Sequence, residues 1–192
     1  MAEVKRVTKQ ASGVIRVQAA YREPFAMVEV DGTAYLLDRN AVRLPVEYVI
    51  GTVPDEYWNE WFRIAGVSAA VPPAGAVWPG ADLAAGLELV EYLRDATVRG
   101  EVSFRSSLRV IDVSNHGRRR DPYDGELRIR TIYPRGYIDW GLPPGKEYTV
   151  EASANRKLEM LRALYAERSR LPDLVLDVRG ADAIRLREPR GG

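Results

Sequence analysis

The 192-residue sequence predicts an α+β fold, a mainly antiparallel sheet with two or three packed helices. Three observations carry this. Asp31-Gly32 sits between the apolar runs Met27-Val28-x-Val30 and Ala34-Tyr35-Leu36-Leu37. Asp-Gly in that position marks a hairpin, because a type I′ turn needs positive φ at both central residues. A second hairpin is written in "ELRIRTIYPRGYIDWG", which alternates apolar and polar positions on both sides of Pro134-Arg135-Gly136. Two further stretches repeat apolar residues at helical spacing.

The elements follow in order. "GVIRVQAAYREPFAMVEVDGTAYLLDRNAVRLP" predicts strand, loop, strand, turn, strand, with a second turn at Asp38-Arg39-Asn40 before Val42 and Leu44. Pro54 and Asp55 suit a helix start, and Tyr57, Trp58, Trp61, Phe62 and Ala65 predict a helix over Asp55–Ala65. Its aromatic face suits a core or interdomain surface, with a sugar- or peptide-binding ledge as the alternative. Gly66–Leu83, dense in Pro and Gly, predicts a loop and a candidate domain junction.

Leu83, Leu87, Val90 and Leu93 then form one stripe of an amphipathic helix, and Leu108, Val110, Ile111 and Val113 mark a strand. After the second hairpin comes a helix with Leu158, Leu161, Leu164 and Tyr165 inward, stopped by Pro172. The chain closes as strand, turn, strand and a tail, Arg190-Gly191-Gly192, expected to fray.

Composition excludes several classes of function. With 28 basic and 27 acidic residues the formal charge is +1, so no nucleic-acid partner is implied. The chain has no cysteine, which removes thiol nucleophiles, zinc fingers and disulfide frameworks. No apolar run is long enough for a signal peptide or a membrane span. Neither Gly-x-Gly-x-x-Gly nor Gly-Lys-Ser/Thr occurs, and no spacing singles out a pair of carboxylates.

His116, the one histidine, lies in "VSNHGRRRDPYDG" beside Asn115 and Asp121. A solvated loop residue is the plain reading, and a hydrolase using His116 with Asp121 or Asp124 is the alternative. That alternative lacks a Gly-x-Ser-x-Gly elbow, and Ser103, Ser106, Ser107 and Ser114 sit in strand-like sequence. Asp121 and Asp124 fall short of the ligand density of a calcium loop. The basic run Gly117–Asp121 reads as a solvated loop, with lipid headgroups or an acidic partner as alternative contacts. No enzyme, metal site or cofactor is expected.

The order of elements resembles a known family. Arg22-Glu23-Pro24-Phe25-Ala26 matches an "R-x-P-x-A" segment, Tyr35-Leu36-Leu37-Asp38 a "yLlD" strand, and Leu44-Pro45 a proline-marked exit. "LRIRTIYPRGYIDWG" resembles a hairpin with a "W/l-G" ending, and Val175-Leu176-Asp177-Val178-Arg179 resembles an "iDlR" strand in altered order. Together these resemble the bacterial division protein family FtsQ, called DivIB in some lineages, over nearly the whole chain.

The resemblance implies a C-terminal part of a POTRA-like domain over residues 1–45, a partial strand hairpin, followed by the family's β domain over 46–192. It implies that the natural cover of the first hairpin is missing from this sequence, through a fragment or a lineage that lost half a domain. A third option is that the aromatic helix Asp55–Ala65 packs there. It implies a non-enzymatic divisome scaffold acting in septum formation on the extracytoplasmic (periplasmic) face of the inner membrane. Its membrane contact would run only through an N-terminal anchor that is missing here.

The implied partners are division proteins of the FtsB and FtsL type, captured by strand addition at the C-terminal sheet edge. By position that edge is Ala183, Ile184, Arg185, Leu186 and Arg187. Alternation puts Ile184 and Leu186 on one face and the two arginines on the other, where they either meet partner acids or guard an open edge. The aromatic residue often found in that strand is absent. A soluble interaction domain with the same fold is the second reading.

Overall fold

Asp31 and Gly32 adopt φ of 47° and 77°, the left-handed backbone that the turn needs. The strands they join pair in register from Val30↔Thr33 to Ala26↔Leu37. The computed structural model describes residues 2–188. The chain opens with β1 (Ala2–Lys9), β2 (Ile15–Tyr21), β3 (Ala26–Val30), β4 (Thr33–Leu37) and β5 (Arg43–Val49). It continues through α1 (Asp55–Glu60), β6 (Phe62–Ala65), α2 (Ala81–Val98) and β7 (Leu108–Asp112). It ends with β8 (Leu127–Thr131), β9 (Tyr137–Gly141), α3 (Ala154–Arg168), β10 (Val175–Asp177) and β11 (Arg185–Arg187). The tail from Pro189 to Gly192 lies outside the described residues.

Nine strands form one sheet in the order β11-β10-β9-β8-β7-β6-β3-β4-β5, and β1 with β2 form a separate hairpin. Most neighbours are antiparallel, while β6 runs parallel to both β3 and β7, and β10 runs parallel to β9. The parallel pairs β6/β7 and β9/β10 are each joined through a helix, α2 and α3, as parallel strands require. The fold is therefore mixed, α+β in character, with a mostly antiparallel sheet and three α-helices. The expected division at residue 45 falls within β5, and strands from both sides of it share the sheet.

One face of the sheet carries the main core. Val28, Leu37, Phe62, Ile64, Ile111, Ile129, Ile138, Trp140 and Leu176 point to it. Leu83, Leu87, Val90 and Leu93 of α2 and Leu158 and Leu161 of α3 meet them. At roughly 25 cal/mol per Å² of apolar surface, this layer is the principal stabilising term.

The other face carries its apolar cluster at the β5 end. There Met27, Ala34, Leu36 and Leu44 lie under Val53 and Trp61, with Tyr57 and Trp58 of α1 packed alongside. The first hairpin is thus covered on both sides, and the expectation of a missing cover is corrected: the aromatic segment supplies it.

That segment also corrects the predicted helix Asp55–Ala65. The helix stops at Glu60, Trp61 is extended (φ −112°, ψ 140°), and Phe62–Ala65 is a strand between β3 and β7. Two central-strand partners outweigh the helical spacing of the aromatics, an instance of tertiary context overriding local pattern.

Gly66–Gly80 is a loop, as composition implies, but not a domain junction. Trp78 is buried against the ring of Tyr35, and a bridge Val42↔Val77 ties the loop to the start of β5. Strand β1, which has little apolar character, was not legible as an element. It pairs with β2 from Ala2↔Tyr21 to Lys9↔Ile15, and Val7, Ile15 and Val17 of this hairpin are exposed.

Candidate functional site

The two edges of the nine-stranded sheet differ. At the β5 end, the N–H of Arg43 donates to Ala76 O (3.0 Å), and the N–H of Gly75 donates to Arg43 O (2.7 Å). Pro45 follows with no N–H to offer, and Arg43 pairs with Glu47 along the strand. Proline, charge and a covering loop are the usual guards of an edge strand. At the other end, β11 pairs with β10 through Val175↔Arg187, Leu176↔Leu186 and Asp177↔Arg185, and no described strand lies beyond it.

Of the expected edge residues, Ala183 precedes the strand and is exposed, and Ile184 packs partly against the main core. Leu186 lies opposite buried Leu176, yet 42% of its surface is exposed. Arg185 and Arg187 occupy the opposite face. The structure separates their roles. Arg185 is exposed with no ion pair among the described residues. Arg187 reaches across two strands, its Nη2 2.9 Å from Asp139 Oδ2 and 3.2 Å from Asp177 Oδ2. Arg187 is therefore committed within the chain, and of the two arginines only Arg185 is without an ion pair among the described residues.

Sheet register builds the network under Arg187. Arg128, Asp139, Asp177 and Arg185 share one level across β8 to β11, and Arg130, Tyr137, Val175 and Arg187 share the next. Arg179, just past β10, donates from Nη2 to Asp177 Oδ2 (2.8 Å) and lies 3.2 Å from Asp139. Asp139 is fully buried and also accepts from the N–H of Gly125 at 2.8 Å. Gly125 has room for no side chain, since a Cβ there would stand 2.1 Å from Asp139 Oδ1.

Burial pushes the Asp139 carboxyl above its ordinary range, against the pull of Arg179 and Arg128. For Asp177 burial also acts upward, but hydrogen bonds from Arg179 outweigh it and hold the carboxyl low. Arg179 is held more basic than usual, chiefly by Asp177.

Asp177 and Arg179 line a cavity of about 330 Å³ at the ends of β9 and β10, together with Arg118, Glu126, Tyr148, Glu151 and Arg185. Behind Glu151 lies Lys157, fully buried, its Nζ 2.6 Å from Glu151 Oε1 and 5.2 Å from the centre of the Trp140 ring. Burial lowers the Lys157 pKa, and Glu151 opposes that shift.

The "SNHGRRRDPYDG" loop is exposed to solvent at 117–120, 122 and 123, as its basic run implies, but is anchored by internal hydrogen bonds. Asn115 accepts from the N–H groups of Arg120 and Asp121 (2.9 and 2.8 Å) and donates to Asp121 O and Gly125 O. Arg119 donates to Ser114 O (2.7 Å), Val113 O (3.1 Å) and Asp82 Oδ2 (2.7 Å), and also to Gly66 O. It thereby clasps the loops after β6 and β7 to the start of α2. Gly66, at φ 82°, is needed there because a Cβ would come within 2.6 Å of Ser114.

His116 has Glu126 as its nearest ion-pair acid, with Nε2 4.0 Å from Oε2. Asp124 is held by Arg128 and stands 4.0 Å from Arg187, and Asp121 accepts from the N–H of Tyr123 at 2.8 Å. Among the described residues, no group of three His, Asp or Glu side chains is placed to hold a metal ion. No helix of these residues is long and apolar enough to cross a membrane.

Sequence reasoning missed the Asp139–Asp177–Arg179–Arg187 network and the Arg119 clasp. A signal was present for the first: charged residues repeat at alternate positions of "LRIRT", "YIDWG", "VLDVR" and "IRLR", on the face opposite the apolar ones. Nothing local marked Arg119 apart from its neighbours. Set against known proteins, the chain matches no family model, no curated protein and no solved structure.

Proposed function

We propose that this chain is a non-enzymatic scaffold of the bacterial divisome, of the FtsQ/DivIB type, that captures a strand of a partner protein at β11. The observation that carries the capture is the contrast between the sheet's edges: β5 is bridged by a loop and followed by Pro45, while β11 is open among the described residues. An added strand satisfies the outer backbone groups of β11 and covers Leu186, while Arg185 is available to an acidic side chain. The division role, the POTRA-like character of residues 1–45, the extracytoplasmic setting and partners of the FtsB and FtsL type rest on the sequence resemblance. The open edge serves equally a soluble interaction domain of the same fold.

The test is co-purification of the chain with FtsB- and FtsL-type proteins from the same cells, repeated with Leu186→Pro and with residues 183–192 removed. Capture by the native chain and its loss in both variants supports the reading. Capture that survives both sinks β11 as the receiving edge. Division partners that fail to bind a folded native chain sink the divisome role.

A further inference from the structure

Away from β11, five arginines gather around the starts of β6 and β7: Arg63, Arg94, Arg105, Arg109 and Arg130. Two have acid partners, Arg63 with Glu29 (3.3 Å) and Arg130 with Asp112 (3.0 Å). Arg94, Arg105 and Arg109 have no ion pair among the described residues. Arg94 donates to Phe25 O (2.9 Å) and stacks on the Phe25 ring at 4.7 Å. Arg105 stacks 3.8 Å above the Phe62 ring, and its buried Nη2 has no hydrogen-bond partner. Such like charges repel, and Arg105 shows it: burial, then Arg109 and Arg94, lower its pKa to about 10. In a chain of net charge +1, this is a local positive surplus built of preorganised guanidinium groups.

Two of them, Arg63 and Arg109, share a surface cavity of about 420 Å³ that is lined also by Asp55 and Trp58. Arg63 stacks 4.2 Å over the Trp58 ring and donates from Nη1 to Glu29, which leaves the rest of its donor edge to a ligand. Arg109 is half-buried and brings a second fork to the same space. Asp55, Glu29 and Asp112 interrupt the positive charge. A polyphosphate or nucleic acid needs a continuous basic track. A single carboxylate fits between interspersed acids, held by paired guanidinium donors.

We propose that the Trp58–Arg63–Arg109 cavity is a second docking site, which takes an acidic side chain from a protein partner. It is independent of the β11 edge. A fluorescein-labelled peptide of alternating glutamate and glycine, followed by anisotropy on the full chain, tests it. The native chain is expected to bind, with affinity falling as salt rises. Arg109→Gln, which removes no hydrogen bond or ion pair among the described residues, is expected to weaken binding roughly tenfold, and Leu186→Pro to leave it unchanged. Equal affinity for Arg109→Gln and native chain overturns the proposal, as does absence of binding. Phosphatidylglycerol vesicles or pyrophosphate that displace the peptide through Arg109 make the occupant a phosphate and overturn it too.

Discussion

Arg187, on the outermost strand of the sheet, and Asp139, buried two strands inward, meet at 2.9 Å. Only three residues of β11 pair with β10. A strand that short is marginal by itself, so the Arg187 bonds to Asp139 and Asp177 are what fix its register.

Replacing Arg187 by Gln is therefore expected to loosen the edge without unfolding the domain. Hydrogen bonds to charged groups contribute about 1.5–3 kcal/mol, so local opening of 184–188 should rise roughly 10- to 100-fold. Amide exchange by mass spectrometry reads this directly. Unchanged protection there would show that backbone pairing alone holds β11.

Trp61 caps the second face of the first hairpin, over Met27, Ala34 and Leu36. Trp61→Ala is expected to cost about 3–5 kcal/mol and to lower the denaturation midpoint in urea. Since Phe62 is a core residue on the opposite face, Phe62→Ala should cost a similar amount. A small effect at Trp61 alone would mean that the cap is dispensable.

The acid limb of stability should depend on Asp82. Burial acts to raise its pKa, but hydrogen bonds from Arg119 and Ser68 prevail and hold it below the usual carboxylate value. A carboxyl with a depressed folded pKa contributes stability that is complete above the unfolded value. That contribution is lost as pH falls through the folded one. Below about pH 4, the ordinary carboxylate range, the native chain should lose stability more steeply than Asp82→Asn. Parallel curves would remove Asp82 as a source of the acid limb.

Lys157 offers a sharper contrast. Lys157→Met and Lys157→Ala both leave Glu151 without its cation, and each is expected to cost about 3–5 kcal/mol. Thermal unfolding should place both well below native, with Ala lower still because it also leaves the buried space unfilled. A Met variant as stable as native would assign the role of Lys157 to packing rather than charge.

Much of the fold was legible because its elements obey simple periods. The turns at Asp31-Gly32 and Pro134–Gly136, the stripe of α2 and the stop of α3 all follow from local chemistry. The failures share one cause, which is partners distant in sequence. Phe62–Ala65 is a strand because β3 and β7 flank it, although Trp58, Trp61 and Phe62 fit a helix as well. Arg119 looks like one of three loop arginines until Asp82 and Gly66 arrive from 37 and 53 residues away. The edge residues 184–187 were visible as an alternating strand. Which arginine is tied down and which is open was not, because that depends on Asp139 across two strands.

The guarded β5 edge also sets a limit on assembly. Head-to-tail growth from chain to chain needs a donor edge and an acceptor edge on each molecule, and a loop, a proline and an ion pair obstruct one of them. Two copies meeting at β11 would form a closed two-fold pair with no edge left to propagate. Among the described residues, β11 is the one open end of the main sheet, so a strand added there would find no second open edge on the same chain from which a fibre could grow.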